Sequence, residues 1–124
     1  MKHRLLMLDD EMAILKAMST YFELSGYAVD FTVEKEEAEA LLVNNAYSCL
    51  IVDLHLTPHG ADGLDVLSFV RERSPSTRVV ILTAYGSPAV EREARRRGAD
   101  AFLHKPRRLS EVLGIVSALV GGAS

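Results

Sequence analysis

Residues 48–53, SCLIVD, give the clearest indication of the fold class. Four apolar residues follow one another with no alternating polar residue, which indicates a strand whose two faces are both covered. The strand ends on a carboxylate, Asp53, and an irregular stretch, LHLTPHGADG, follows at 54–63. A second run, RVVILTA at 78–84, has the same lack of alternation. Two such strands favour a parallel sheet with helices on both sides.

The rest of the chain alternates between strand and helix patterns. Helix patterns lie in four segments, at 9–26, 34–45, 64–74 and 109–120. A further helix is predicted at 87–98, where Ser87 and Pro88 suit an N-cap and first turn and Gly98 a helix end. Shorter strand patterns lie at 5–8, 27–32 and 101–106. Right-handed crossovers then predict a doubly wound α/β domain with a five-stranded parallel sheet and five helices. We expect a single domain over residues 1–124, with its core at about 4–120 and a tail or linker start at 121–124.

The chain has 124 residues, enough for one domain with a buried core, and a net charge of −3. The charge is uneven, because residues 1–70 carry 4 basic and 12 acidic side chains while residues 71–124 carry 10 and 5. Solvated helix faces account for this pattern, and a basic docking surface in the second half is the alternative. Because the basic character is not sustained and aromatic residues are few, we expect no direct contact with nucleic acid.

The single cysteine, Cys49, cannot form an internal disulfide, and its place in an apolar run predicts a buried small side chain. The apolar run at 5–8 is too short for a signal peptide. No stretch approaches the roughly 20 apolar residues of a membrane span. These features favour a soluble, cytoplasmic protein that does not contact a membrane.

Reactive side chains follow the predicted strands at one edge of the sheet, where open α/β sheets place their ligand sites. They are Asp9 and Asp10 after the first strand, Asp53 after the third, Thr83 at the end of the fourth and Lys105 at the end of the fifth. Three neighbouring carboxylates are costly unless protons or a cation offset them, and an all-oxygen donor set favours Mg²⁺. A carboxylate beside Mg²⁺ can act as nucleophile toward a phosphoryl group.

Four motifs resemble the signatures of the receiver domain of two-component response regulators. They are LMLDDE at 6–11, LIVDLHL at 50–56, VVILTAYG at 79–86 and AFLHKP at 101–106. The similarity extends over about residues 4–120, and the four motifs are specific in this order and at these strand ends. The resemblance implies a flavodoxin-like fold, with strand order 2-1-3-4-5, in a signalling switch of a phosphorelay that is not a turnover enzyme.

The resemblance also implies a role for each acidic residue. Asp53 would be the phosphoacceptor, phosphorylated by the phosphohistidine of a sensor histidine kinase or a histidine phosphotransfer protein. Asp9, Asp10 and Asp53 would hold Mg²⁺ together with the backbone carbonyl of His55.

The remaining implied roles concern the response to phosphorylation. Lys105 would pair with the phosphoryl oxygens, and Pro106 would follow a cis bond. Thr83 would hydrogen-bond the phosphoryl group, and Phe102 matches the aromatic position that changes rotamer when this threonine moves. The switch would alter the surface of helix 4, strand 5 and helix 5, which would bind an effector protein or domain or form a homodimer.

Structural interpretations compete with several of these roles. Asp9 and Asp10 could merely cap the first helix, since acids favour a helix N-terminus. Thr83 could be a simple strand residue, and Phe102 an ordinary core residue that lacks the tyrosine hydroxyl common at this position. Zinc binding by His55 and His59 is not expected, because Pro58 disfavours a helical turn between them and no third ligand is evident. His104 is expected at the surface.

The sequence departs from the family pattern in the loop after the third strand. A proline usually follows the phosphoacceptor by four residues and a glycine follows by eight, whereas Pro58 and Gly63 lie five and ten residues after Asp53. We expect the loop, about two residues longer than usual, to alter partner docking rather than chemistry. His55 and Tyr85 flank the expected path of water to the phosphoryl group and favour slow autodephosphorylation.

Two other functions remain open at this point. A pseudo-receiver would keep the fold as an interaction module without phosphorylation, although the complete set of predicted site residues argues against it. A small Mg²⁺-dependent phosphohydrolase would use Asp53 as nucleophile. Such enzymes usually place a second acid two residues later, where this chain has His55.

Overall fold

The computed structural model describes residues 2–55 and 61–121. Within them, five parallel strands form one sheet in the order β2-β1-β3-β4-β5, as predicted. The strands are β1 Arg4–Leu8, β2 Ala28–Thr32, β3 Cys49–Val52, β4 Arg78–Thr83 and β5 Ala101–His104. The helices are α1 Met12–Leu24, α2 Lys35–Asn44, α3 Ala61–Arg73, α4 Pro88–Arg96 and α5 Leu109–Leu119. The predicted doubly wound fold is confirmed.

The sheet is covered on both faces, because successive strand residues enter different clusters. Leu6 and Leu8 of β1 pack in a cluster that includes buried residues of α2, α3 and α4. Leu5 and Met7 pack in a second cluster with buried residues of α1 and α5. This explains why the strands are apolar without interruption: both faces of each strand are covered and need hydrophobic side chains, as the sequence indicated.

Cys49 at the start of β3 is fully buried. Burial raises the pKa of its thiol to about 12. The thiol therefore stays protonated at neutral pH, and the prediction of a small buried side chain is confirmed.

Local signals explain where α4 begins and ends. Ser87 accepts a hydrogen bond from the Val90 N–H at 3.2 Å, and Pro88 occupies the first turn, as its sequence position indicated. Gly98 follows the helix with a φ of 109°, a left-handed conformation that favours glycine. No helix in the described residues has the length and apolar character that a bilayer crossing requires.

Most of the loop after β3, which is longer than usual in the sequence, falls on residues 56–60. These residues, including Pro58 and His59, lie outside the described part of the chain. The far end of this loop is described at Gly63 in α3. A Cβ atom on Gly63 would lie 2.5 Å from the Cα of Leu54 and 3.0 Å from the carbonyl oxygen of Asp53. Glycine therefore allows α3 to contact the backbone next to Asp53.

We expect Gly63→Ala to lower the free energy of unfolding by about 1–3 kcal/mol, since the backbone of α3 or of Leu54 must move to admit the methyl group. Urea denaturation measures the change. Gly114→Ala is the matched control, because nothing lies within 4 Å of a Cβ at this position of α5. The control should gain about 0.5–1 kcal/mol from reduced chain entropy. Equal stability of the two variants would contradict the close approach at Gly63.

Candidate functional site

The loops after β1, β3 and β5 bring Asp9, Asp53 and Lys105 together at the carboxyl edge of the sheet. The Lys105 Nζ donates to Asp9 Oδ2 at 2.7 Å and to Asp53 Oδ2 at 3.1 Å. Asp9 and Asp53 are only 5% and 4% exposed. A single ammonium thus bridges two buried carboxylates from positions 96 and 52 residues away in the chain.

Backbone N–H groups orient the same two carboxylates. Glu11 N–H donates to Asp9 Oδ1 at 3.0 Å, and His55 N–H donates to Asp53 Oδ1, also at 3.0 Å. Each bond spans two residues, as in an Asx turn. Because the Oδ1 atoms face the backbone, the Oδ2 atoms face Lys105. Neither donor was predicted from the sequence, although an aspartate that ends a strand is the usual signal for such a turn.

The clustered carboxylates favour the uptake of a proton or a cation at the site. Burial raises the pKa of Asp9 above its usual range, although hydrogen bonds from Lys105 and the Glu11 N–H partly oppose this. Burial alone would lower the pKa of Lys105, but its hydrogen bonds with Asp9 and Asp53 outweigh burial and raise it. Lys105 is therefore charged at neutral pH, and one positive charge faces several acidic groups.

Asp10 completes an acidic cluster with Asp9 and Asp53. Each of the three offers a carboxylate oxygen, and these oxygens lie within 4.8 Å of one another. Asp9 and Asp53 are buried while Asp10 is exposed. This donor set fits Mg²⁺, which prefers oxygen ligands, needs only one or two carboxylates and keeps several waters that an open side can admit. Coordination by the His55 carbonyl stays a prediction.

Thr83 ends β4 and Lys105 directly follows β5, the neighbouring strand, and the two residues are joined through the backbone. The Lys105 N–H donates to the Thr83 carbonyl oxygen at 2.9 Å. Thr83 is fully buried, and its Oγ1 accepts a hydrogen bond from the Tyr85 N–H at 3.2 Å. The Lys105–Pro106 bond is cis, as expected. The structure thus places Thr83 at the same edge of the sheet, while its contact with a phosphoryl group stays a prediction.

The other predicted residues lie around this edge. Phe102 is 6% exposed and belongs to the core cluster of α2, α3 and α4, so both the core and the switch interpretation fit its position. His104 is exposed, as expected. The rings of His55 and Tyr85 stack at a centroid distance of 3.9 Å and an angle of 30°. The His55 ring therefore packs against Tyr85. Zinc binding by His55 and His59 is not tested, because His59 lies outside the described residues.

Comparison with known proteins identifies the family. The sequence profile of the response regulator receiver domain matches residues 5–117. The chain belongs to this family. A receiver domain is a signalling switch rather than a classical enzyme, generally binds Mg²⁺ at an acidic pocket and interacts with histidine kinases and effector domains. This receiver domain is therefore a phosphoacceptor signalling module of a two-component system, as the motifs predicted.

Solved structures and curated relatives agree with this assignment. The CheY-like receiver domain protein of Methanospirillum hungatei superimposes with a TM-score of 0.92 at 24% identity, covering 98% of this chain and 95% of that one. A Burkholderia pseudomallei response regulator with a phosphorylated aspartic acid, a calcium ion and citrate has a TM-score of 0.87 at 28% identity, covering 97% and 69%.

The photosynthetic apparatus regulatory protein RegA of Rhodobacter capsulatus is 31% identical, over 92% of this receiver domain and 61% of RegA. The chain spans about a fifth to three fifths of the length of the curated relatives that it matches, several of which are transcriptional regulatory proteins. The activity of any longer protein that contains it is therefore a separate question.

Proposed function

We propose that Asp53 accepts the phosphoryl group, and that the donor is the phosphohistidine of a sensor histidine kinase or a histidine phosphotransfer protein. The main support is the contact of 3.1 Å between Lys105 Nζ and Asp53 Oδ2. It sets a buried carboxylate beside a fixed positive charge, which suits transfer of an anionic group. The proposal treats residues 4–120 as one receiver domain, in line with the family match over 5–117.

The transfer is a substitution at phosphorus. An Asp53 carboxylate oxygen forms the new O–P bond while the N–P bond of the phosphohistidine breaks. The electron pair of the broken bond stays on the departing imidazole nitrogen, which takes up a proton from solvent. Asp53 is the only carboxylate of the cluster that directly follows β3, and its Oδ1 is already held by the His55 N–H. One oxygen is therefore positioned by the backbone while the other can react.

Lys105 and Thr83 stabilise the charge that arrives with the phosphoryl group. The Lys105 ammonium, now shared by Asp9 and Asp53, would pair with a phosphoryl oxygen. The Thr83 hydroxyl would donate to a second oxygen, after its present contact with the Tyr85 N–H is changed. When bound by Asp9, Asp10, Asp53 and the His55 carbonyl, Mg²⁺ would offset the negative charge of the carboxylates and the phosphoryl group.

Phosphorylation would then act on the surface formed by α4, β5 and α5. Adding negative charge at the site changes the balance between two arrangements of this surface, which would bind an effector protein or domain or a second copy of the chain. Thr83 is close to this surface in the fold, because it pairs with His104 of β5 in the parallel register. A movement at Thr83 is therefore transmitted to the edge strand directly.

Intact mass spectrometry after incubation with Mg²⁺ and acetyl phosphate tests this proposal. We expect the wild-type protein to gain one phosphoryl group and Asp53→Asn to gain none. Absence of any gain in the wild type would favour the pseudo-receiver. Sustained release of phosphate from a phosphomonoester, without accumulation of phosphoprotein, would favour the phosphohydrolase.

The His55–Tyr85 stack leads to a prediction about the lifetime of the phosphoryl group. Tyr85 is 62% exposed and stacks on the ring of His55, whose N–H donates to Asp53, so we infer that the stacked rings limit the access of water to the site. We expect Tyr85→Ala to shorten the half-life about two- to tenfold, the kinetic equivalent of an aromatic pair worth roughly 0.5–1.5 kcal/mol. Decay of the phosphoprotein, followed by mass, measures the effect. Tyr85→Phe is the control and should keep the wild-type half-life, whereas an unchanged half-life in Tyr85→Ala would argue against shielding.

A further inference from the structure

Gly86, in the loop between β4 and α4, lies against two aromatic rings of β5. A Cβ atom on Gly86 would lie 2.7 Å from His104 Cε1, 3.0 Å from His104 Nδ1 and 2.8 Å from Phe102 Cε1. Carbon atoms that are not bonded to each other do not approach this closely, so a methyl group and both rings cannot occupy their present places together. The rings leave room for a hydrogen atom only.

Backbone conformation does not explain why this position is glycine. Among the described residues, the glycines with positive φ are Gly26, Gly98 and Gly121, and Gly86 is not one of them. An alanine could therefore adopt the same φ without strain. The constraint at Gly86 comes from the two rings, and a change in either ring position would be felt by the loop.

Phe102 and His104 form a pair on one face of β5. They are two residues apart, so their side chains point to the same face of the sheet. Their ring centroids lie 5.5 Å apart at an angle of 67°, an edge-to-face arrangement. Phe102 is buried at 6% exposure, while His104 is exposed. The imidazole of His104 thus packs against the buried Phe102 ring and is itself exposed on the edge strand.

The loop that contains Gly86 begins at Thr83. The Thr83 Oγ1 accepts a hydrogen bond from the Tyr85 N–H at 3.2 Å, which ties the threonine side chain to the residue before Gly86. If the Thr83 side chain changed rotamer, its Oγ1 would no longer accept this hydrogen bond. Gly86 would then be free to shift, and a shift toward the rings would require both of them to move, since they leave no room even for a Cβ atom.

We propose that Phe102 and His104 change position together against Gly86, and that His104 presents the position of Phe102 at the protein surface. Gly86 is a positioning residue in this scheme. The proposal rests on the proposed function, in which Thr83 responds to a phosphoryl group on Asp53. It also answers a question raised by the sequence: phenylalanine has no hydroxyl with which to signal its rotamer, and the ring nitrogens of His104 supply polar atoms instead.

Nuclear magnetic resonance of the assigned Phe and His rings tests the proposal, with Mg²⁺ and beryllofluoride as a mimic of the phosphoryl group. In the wild type we expect the Phe102 and His104 ring resonances to shift together as the mimic binds. In Gly86→Ala both rings should be displaced before addition, and the further shift should be lost although bound fluoride is still seen by its own resonance. Gly114→Ala, with open space around the added methyl group, should behave as the wild type.

Three results separate the possible failures. If the wild type shows no bound fluoride, the proposed function fails and the inference fails with it. If fluoride binds and the Phe102 ring shifts while His104 does not, the inference alone is overturned, and this comparison needs no variant. If Gly86→Ala and wild type give the same ring resonances in both states, the role of Gly86 is overturned.

Discussion

Lys105→Met should slow phosphorylation of Asp53 by acetyl phosphate by about 100-fold or more, the usual cost of removing one charge-stabilising donor from a buried site. The Lys105 Nζ lies 2.7 Å from Asp9 and 3.1 Å from Asp53, and its side chain is only 15% exposed. Solvent therefore cannot readily replace the ammonium. The variant would present an approaching phosphoryl group with one positive charge fewer beside the buried carboxylates, and the added repulsion would oppose transfer.

The same substitution should lower the free energy of unfolding of the metal-free protein by about 1–3 kcal/mol, because the Oδ2 atoms of two buried carboxylates lose their hydrogen bonds with the ammonium. Lys16→Met is the matched control, since Lys16 is an exposed lysine of α1 and should be replaceable without either effect. Rates follow from the time course of intact mass, and stability from urea denaturation. A Lys105→Met rate within about threefold of wild type would contradict the role of this ammonium.

Asp9→Asn should abolish the stabilisation that Mg²⁺ gives to the wild-type protein. A ligand at 100 times its Kd stabilises the folded state by about 2.7 kcal/mol, which raises the Tm of a domain of this size by several degrees. Asn keeps the size of Asp9 and can still accept the Glu11 N–H, so the change removes mainly the charge. We expect the metal-free variant to fold and its Tm to be insensitive to Mg²⁺.

Thermal unfolding with and without Mg²⁺ measures this difference. Asp65→Asn serves as control, because Asp65 is an exposed aspartate of α3 that pairs with Lys35 and Arg97 away from the acidic cluster. It should respond to Mg²⁺ as the wild type does. An equal response in Asp9→Asn would mean that the cation binds elsewhere.

The sequence predicted the fold because the strands of a doubly wound sheet have a distinctive pattern. Residues 49–52 and 79–82 are apolar on both faces, which requires helices above and below, and the helices between them have clear apolar spacing and stop signals. Gly98 and Ser87 mark helix ends through backbone conformation and capping, which are local effects. Elements determined by local interactions were therefore accessible from sequence alone.

The composition of the site was also predictable, but its contacts were not. Strand ends gather at one edge of a parallel sheet, so Asp9, Asp53 and Lys105 were expected to be neighbours. The sharing of one ammonium by two carboxylate Oδ2 atoms depends on side-chain orientation, which the Glu11 and His55 N–H groups fix. Such orientation emerges only from the folded backbone.

Two glycines illustrate what sequence could not supply. Gly63 and Gly86 resemble ordinary loop or helix-start glycines in the sequence, and neither has positive φ. Each is needed because a distant segment approaches it, the Leu54 backbone for Gly63 and the Phe102 and His104 rings for Gly86. Close approaches of this kind depend on tertiary packing, and no local sequence pattern indicates them.

Chemical reduction of the phosphorylated protein locates the phosphoryl group on a single residue. After incubation with Mg²⁺ and acetyl phosphate, the acyl phosphate is reduced with borohydride, which converts a phosphorylated aspartate to homoserine, and peptides are sequenced by mass spectrometry. We expect homoserine at position 53 and at no other aspartate. Homoserine at Asp9 or Asp10, or a phosphorylated protein in which Asp53 stays intact, would contradict it.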